Sequence, residues 1–213
     1  MTRYMISGSL AALLATLAVP ALAQSAGDWS LGAGLAYILP QDDNGTIQGT
    51  TTDIVVGDST GLTLTGEYFV YQNVGVELLL AWPFTHDISL DLPAGDTKVA
   101  DTQQLPPVLS LQYHFNGTAG AGSVSPFLGV GVNYTTFFNT DTTGMLAGTD
   151  LDLGDSWGAA FHAGVDYKAS EKDIVRVDVR YIDIETEAEL DGQKLDDVAV
   201  NPWVFGMSYV RLF

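Results

Sequence analysis

Apolar and polar side chains alternate along eight segments of the chain, which is the pattern of β-strands with two different faces. The segments fall near residues 29–39, 60–71, 74–86, 99–115, 125–138, 156–168, 173–186 and 198–213. In the seventh, Val175 and Val177 alternate with Arg176 and Asp178. The sequence therefore predicts an all-β fold in which one face of each strand is apolar.

Alternation alone leaves two folds open, because a soluble sandwich and a membrane barrel both have one apolar face per strand. The predicted connections after strands two, four and six are mostly short and rich in small polar residues, whereas those after strands one, three, five and seven are long and acidic. Outer-membrane barrels alternate short periplasmic turns with long outer loops in this way. We therefore expect an eight-stranded antiparallel transmembrane β-barrel in a bacterial outer membrane, surrounded by lipid and lipopolysaccharide.

Aromatic side chains lie toward the predicted strand ends, where membrane proteins place them at the level of the lipid headgroups. A girdle beside the short turns is predicted from Trp29, Tyr113, Phe115, Phe127, Tyr167 and Phe213. A girdle beside the long connections is predicted from Tyr37, Trp82, Phe84, Phe138, Trp157 and Trp203. The terminal Phe213 is similar to the signal that the barrel assembly machinery reads, although Arg211 stands where an apolar residue is usual.

The N-terminus predicts export. Arg3 precedes an uncharged apolar stretch from about Ser9 to Val19, and Ala21-Leu22-Ala23 follows, which fits a cleavable secretory signal. The stretch is shorter than the roughly 20 residues that a membrane-spanning helix needs. We therefore expect residues 1–23 to be removed and residues 24–213 to form a single barrel domain.

Composition narrows the partners and the chemistry. The chain has 8 basic and 26 acidic residues, and losing Arg3 leaves a net charge of about −19, so nucleic acid is not an expected partner. Cysteine is absent, which excludes disulfides and thiolate metal sites. Asp150 and Asp152 lack the spacing of a calcium loop. No cofactor or metal site is predicted, although divalent ions bridging the loop acids to lipopolysaccharide stay open.

Charged residues on the inward face predict a polar network in the lumen. With a turn at residues 170–171, antiparallel pairing sets Asp166 opposite Arg176 and His162 opposite Arg180. The predicted network comprises Glu67, Glu77, His162, Asp166, Arg176 and Asp178. These charges either just fill a narrow barrel with paired side chains, or they form a plug that stops passage along the axis.

Three prolines interrupt the third and fourth predicted strands. Pro83, Pro106 and Pro107 lie in the outer parts of these strands, and proline cannot donate a ladder hydrogen bond. They mark either a weak wall through which a solute leaves sideways, or a bend in long strands above the membrane.

No enzyme is predicted. His86, Asp87 and Ser89 are the only candidates for a lipid-hydrolysing triad near the outer leaflet. His86 and Ser89 are three residues apart on an extended segment, so their side chains favour opposite faces, and no nucleophile motif is present.

Several runs resemble the outer membrane protein W family, in order from the third predicted strand to the last. They are Asn73-Val-Gly-Val-Glu-Leu-Leu79, Leu105-Pro-Pro-Val-Leu-Ser-Leu-Gln-Tyr-His-Phe115, Gly131-Val-Asn-Tyr-Thr-Thr-Phe-Phe138, Asp155-Ser-Trp-Gly158, Gly164-Val-Asp-Tyr167, Arg180-Tyr-Ile-Asp-Ile184 and Asn201-Pro-Trp-Val-Phe205. The resemblance implies an eight-stranded barrel with a narrow, partly apolar lumen and passive entry of small hydrophobic molecules.

The resemblance also implies where that lumen narrows. One residue of the family's constriction maps onto Leu79, and a second position, aromatic in some members, is Arg180 here. The leading expectation is a passive channel with lateral release. The alternative is a non-conducting structural or recognition barrel whose loops contact lipopolysaccharide, phage or bacteriocin.

Overall fold

The structure, a computed structural model, describes residues 25–47, 50–115 and 122–213, so the predicted signal at residues 1–23 lies outside the described residues. A 3₁₀ turn spans Gly144–Leu146. The strands, in chain order, are β1 (Trp29–Leu39), β2 (Ile54–Val56), β3 (Ser59–Tyr71), β4 (Val74–Ala81), β5 (Phe84–Leu90), β6 (Thr97–Leu105), β7 (Val108–His114), β8 (Val124–Thr142), β9 (Leu151–Leu153), β10 (Ser156–Lys168), β11 (Asp173–Ile182), β12 (Glu185–Leu190), β13 (Gln193–Ala199) and β14 (Trp203–Leu212).

Eight of these strands form a closed antiparallel barrel in the order β1, β3, β4, β7, β8, β10, β11 and β14. The pairing of β14 with β1 closes the ring. Closure leaves no barrel strand with an unpaired edge. The predicted eight-stranded barrel is confirmed.

No helix in the described part of the chain is long and apolar enough to cross a membrane.

The long connections are mostly strands and not irregular loops. At the end of the barrel opposite the short turns, which we call the upper end, β5 pairs with β6, β6 with the long strand β8, and β2 with β5. A second small sheet has the order β13, β12 and β9. We call these six elements and the upper part of β8 the upper sheets. They extend the barrel wall beyond the ring of eight strands.

Four predicted strands are each split into two. The third breaks at Pro83, the fourth at Pro106 and Pro107, the seventh between β11 and β12, and the eighth between β13 and β14, next to Pro202. Three of the four breaks contain proline, which cannot continue a ladder of hydrogen bonds. At the break without proline, between β11 and β12, Ile184 N–H donates a hydrogen bond to the Asn201 side chain at 2.8 Å.

The apolar face of the wall is the outer one in the lower barrel and the inner one in the upper sheets. In the lower barrel, Leu64 is 59% exposed on the outside while Glu67 is buried in the lumen. In the upper sheets, the outer positions include Thr85 and Asp87, which are exposed, while Val99 is buried inside. The apolar outer band therefore belongs to the lower barrel, and the outside turns polar above it.

Pro83 also changes which residues of its segment face inward. Along β4, Leu78 and Leu80 point outward, but Phe84 at the start of β5 is only 3% exposed and points inward. The ladder pairs Leu79 with Val108 below the break and Phe84 with Gln104 above it, so residues 80–83 lie opposite the shorter stretch 105–107. The first stretch has one residue more than the second, and this extra residue forms a bulge. A shift of one residue exchanges the inward and outward faces of a strand. The placement of Phe84 in an outer girdle was therefore wrong.

Candidate functional site

A large apolar cavity lies inside the upper sheets. Its volume is about 240 Å³. Most of its lining is aliphatic, including Ile54, Ile88, Val99 and Leu153, with Phe137 beside them. This cavity was not predicted, because many of its lining residues, including Ile54, Ile88 and Leu153, come from segments that were interpreted as acidic loops. A space of this size holds one small organic molecule.

A much narrower space of about 20 Å³, which we call the passage, lies in the mouth of the barrel. Leu79, Phe84, Pro106 and Ile182 are among the residues that line it, and Gln104 lines both the passage and the cavity above. Leu79, predicted as a constriction residue, thus lies at the narrow level. The space is about the size of one water molecule, so a larger solute would have to displace side chains.

Buried charges fill the lumen below the passage. Arg176 donates two hydrogen bonds to Asp166, Nε to Oδ1 at 2.7 Å and Nη2 to Oδ2 at 3.0 Å. It also donates to Glu77 at 2.9 Å and to Glu67 at 3.3 Å. All four residues are at most 3% exposed. One guanidinium therefore joins three carboxylates from β3, β4 and β10, across the width of the barrel.

Arg180 extends this network toward the passage. Its Nη2 donates to Glu77 Oε1 at 2.9 Å and lies 4.0 Å from Asp178 Oδ2. Glu77 and Leu79 are two residues apart on the inward face of β4, a separation of about 7 Å along a strand. The charged layer thus begins directly below the apolar narrow level. Asp178 is attached to it only at long range.

Two histidines lie in the same lumen, and only one is bonded to the charges. The register sets His162 opposite Arg180 and Asp166 opposite Arg176, but neither ring nitrogen of His162 has a hydrogen-bond partner. His114 instead lies between two carboxylates, with Nε2 2.8 Å from Glu67 Oε1 and Nδ1 3.5 Å from Asp166 Oδ2. His114 was not predicted as part of the network, although it shares its inward face with buried Ser110 and Gln112.

Phe127 belongs to this buried layer. It is 1% exposed, its ring is stacked on His114, and the Arg176 guanidinium carbon lies 4.5 Å from its ring centroid. The prediction that Phe127 belongs to the girdle beside the short turns was therefore wrong. It considered where Phe127 lies along the strand but not which face of the strand bears its side chain. Trp29 and Phe213 do face outward and stack with centroids 4.6 Å apart. The assembly role of Phe213 stays a prediction.

The wall is interrupted at the level of the passage. No ladder pair joins residues 80–83 to residues 105–107, all of which the structure describes. On the other side of the same segment, Trp82 N–H donates to Leu62 O at 2.9 Å, and among the described residues the next backbone hydrogen bond above it runs from Gly57 N–H to Asp87 O at 2.8 Å. Pro83, Pro106 and Pro107 thus stand at two adjacent breaks, where the outside changes from apolar to polar.

His86 has a structural environment that differs from a catalytic one. Its Nδ1 lies 2.6 Å from Gly57 O and its Nε2 lies 3.0 Å from Gln104 Nε2. Asp87 points to the opposite face, where it accepts a hydrogen bond from Lys98. Burial lowers the pKa of the His86 imidazole below its usual value. Both ring nitrogens are engaged, and Asp87 is not one of their partners.

Comparison with known proteins gives matches along nearly the whole chain. The sequence is 40% identical to outer membrane protein W of Escherichia coli strain K12, covering 94% of this chain and 96% of that protein. It is 38% identical to outer membrane protein W of Vibrio cholerae serotype O1, covering 92% and 93%. The profile of the OmpW family matches residues 25–213. The chain belongs to the OmpW family.

A solved structure agrees with this assignment. The crystal structure of the outer membrane protein OprG from Pseudomonas aeruginosa matches with a TM-score of 0.81 at 35% identity, covering 91% of this chain and 99% of that one. This OmpW-family protein is therefore an outer-membrane β-barrel, and its named relatives are outer-membrane proteins and not enzymes. In such barrels the short turns are periplasmic, so the cavity of the OmpW-family chain lies at the extracellular end.

Proposed function

We propose that the protein is a passive outer-membrane channel for uptake of small hydrophobic molecules, which leave sideways through the barrel wall. One observation carries the proposal: an apolar cavity of about 240 Å³ lies at the extracellular end, directly above a lumen filled with buried charges. An apolar solute gains free energy by leaving water for the cavity, in proportion to the apolar area it buries. The cavity therefore collects solutes from the outer surface.

The charged layer argues against a route along the axis. To pass Arg176, a solute would have to break its bonds to Asp166, Glu67 and Glu77. Separating a buried charge from its partners is strongly unfavourable, and an apolar molecule offers no replacement hydrogen bonds. The network thus acts as the plug. It also serves as the barrel's packed interior, since a barrel of eight strands has little room for anything else.

The interrupted wall offers the remaining route. Leu79 and Pro106 line the passage, and the breaks beside Pro83, Pro106 and Pro107 lie at the same level. Opening the wall there separates no ladder hydrogen bonds, whereas opening it elsewhere would break several. Trp82, 76% exposed, marks the outside of this level. A solute that leaves here enters the outer part of the bilayer.

A pair of neighbouring substitutions tests the cavity route. Leu79→Trp fills the passage, while Leu80→Trp adds the same side chain to the lipid-facing surface, where Leu80 is 44% exposed. Liposomes containing each variant are mixed with a small hydrophobic fluorophore, and its entry is followed by quenching inside. We expect Leu79→Trp to abolish the entry that depends on the protein and Leu80→Trp to retain it.

The opposite result identifies the alternative function. If wild-type protein gives no more entry than empty liposomes, the protein is a non-conducting structural or recognition barrel, and its contact with lipopolysaccharide, phage or bacteriocin becomes the leading hypothesis. If Leu79→Trp and wild type give equal entry, the solute does not use the passage. The heat-modified gel mobility of each variant confirms that the barrel has formed.

Cross-linking tests the lateral exit. The chain has no cysteine, so introduced thiols are the only ones present. Cysteines at positions 82 and 106, joined by a short reducible linker, close one break, and cysteines at positions 60 and 85 close the other. Cysteines replacing Thr85 and Gln103, which form a ladder pair above the break between positions 82 and 106, are the control. We expect entry to stop with at least one closed break, to return on reduction, and to continue in the control.

A further inference from the structure

With one exception, the polar side chains that line the upper cavity in the described part of the chain have hydrogen-bond partners for their buried atoms. Four polar side chains line it: His86, Thr102, Gln104 and Thr186. The Thr102 hydroxyl is 2.9 Å from the Thr140 hydroxyl, and Thr186 donates to Gly154 O at 2.6 Å. His86 uses both ring nitrogens. Only Gln104 Oε1 is buried without a partner among the described residues that line this cavity.

The orientation of the Gln104 amide follows from the tautomer of His86. Gly57 O is a carbonyl and can only accept, so His86 Nδ1 carries the proton that it donates over 2.6 Å. In the neutral ring, Nε2 then has a lone pair and needs a donor. The Gln104 amide nitrogen, 3.0 Å away, supplies it. Burial favours the neutral form of this ring.

This arrangement leaves the amide oxygen on the other branch of Gln104, with no protein donor. Rotating the amide by half a turn would place two acceptors, Oε1 and Nε2 of His86, against each other, so the orientation is fixed. Gln104 lines both the cavity and the passage of about 20 Å³ below it. That space is the size of a water molecule or of a single hydroxyl group.

We infer that Gln104 Oε1 is a recognition point for solutes that combine an apolar body with one hydrogen-bond donor, such as aliphatic or terpenoid alcohols. The apolar body occupies the upper cavity, and the hydroxyl donates to Gln104 Oε1 at the entrance of the passage once the side chains that cover this buried oxygen have moved aside. The described protein groups offer this acceptor no donor, so the hydroxyl of a solute can pair with it whereas a solute without a donor cannot. An ether or ester oxygen cannot do so, because it has no proton to donate.

The inference rests on the proposed function, because it assigns a solute class to the same cavity. It goes further in one respect: Gln104 becomes a specificity-determining residue that selects alcohols over equally apolar compounds without a donor. His86 is the positioning residue, which acts only by holding the amide nitrogen.

Two isomeric ligands isolate the hydroxyl group. 1-Octanol and heptyl methyl ether have the same atoms and nearly the same size, but only the alcohol has a donor. Each is titrated into wild-type protein in lipid nanodiscs, and the methyl NMR signals of Ile88 and Val99, which line the cavity, report occupancy. Empty nanodiscs correct for partition into lipid. We expect roughly fivefold tighter binding of the alcohol, the size of one net hydrogen bond.

The variant Gln104→Met keeps the length of the side chain and removes the acceptor. We expect it to bring the two dissociation constants within twofold of each other. Gln103→Met, on the outer face of the same strand where Gln103 Oε1 accepts from Asn139, is the matched control and keeps the preference. Equal binding of the two ligands to wild-type protein overturns the inference even if Gln104→Met fails to fold. A preference that survives Gln104→Met overturns it as well.

Transport of octane separates this inference from the channel itself. If octane enters liposomes through the protein but the alcohol shows no binding preference, the channel stands and the role of Gln104 is wrong. If neither compound enters but the NMR preference is present and depends on Gln104, the recognition point stands and the channel does not. If neither ligand shifts the Ile88 and Val99 signals, the inference is overturned.

Discussion

In the lower barrel Leu64 faces outward and Arg176 inward, whereas in the upper sheets Thr85 faces outward and Val99 inward. The strands alternate in both regions, but the solvent outside differs. Lipid surrounds the lower level, so the charges must lie inside and be paired there. Water surrounds the upper level, so apolar side chains gather inside and leave a cavity. The chain thus combines a lower barrel patterned like a membrane protein with upper sheets patterned like a soluble protein.

The lower region should be the more sensitive to loss of a charge. Arg176→Met leaves Asp166, Glu67 and Glu77 buried without their common partner, and breaking such a pair costs about 3–5 kcal/mol. We expect a large fall in the urea midpoint of the lipid-inserted barrel, followed by tryptophan fluorescence. Lys194→Met is the control from the upper sheets, because its ion pair with Glu187 is exposed, and surface pairs contribute little.

Equal midpoints for Arg176→Met and wild type would show that the carboxylates are protonated or hydrated in the lumen, and the plug would lose its physical basis.

Adding a charge to the outer surface should destabilise the lower barrel but not the upper sheets. Leu64→Arg places a guanidinium against acyl chains, which costs about 2–4 kcal/mol near the middle of the membrane. Thr85→Arg, on the polar outside of β5, should leave stability unchanged. The same urea titration measures both. If Thr85→Arg is as damaging as Leu64→Arg, the lipid boundary lies higher than the change of faces at Pro83 indicates.

Much of the lower barrel was predictable because its information is local. Alternation gave the strands and their lipid-facing residues, and one short turn was enough to set Asp166 opposite Arg176 and His162 opposite Arg180. His114 was predictable in principle, since it continues the inward series Ser110 and Gln112. Its partners were not, because they come from β3 and β10, and their distance depends on how the barrel closes.

The upper region was less predictable for two physical reasons. Short stretches such as Ile54–Val56 and Leu151–Leu153 become strands only through partners far along the chain, so local pattern does not reveal them. Pro83 predicts that the strand is interrupted, but it does not predict whether the residues after it keep the same inward and outward alternation. The bulge there turned Phe84 inward, so a side chain that the sequence had assigned to the surface lines the passage.

The smallest expected effect concerns acid and is confined to the upper region. Burial lowers the pKa of His86 in the folded protein, while the unfolded chain titrates near the ordinary value of about 6.5. Below that pH the unfolded state binds more protons than the folded state, so the stability held by neutral His86 is lost as the pH falls. We expect faster amide exchange at Gly57, whose N–H donates to Asp87 O, at pH 5.5 than at pH 7.5 after correction for intrinsic rates. His86→Gln, which can still donate to Gly57 O but does not titrate, should remove the difference.

If exchange in the lower barrel accelerates as much as at Gly57, the protons act on the lumen histidines His114 and His162, and the two regions do not respond separately.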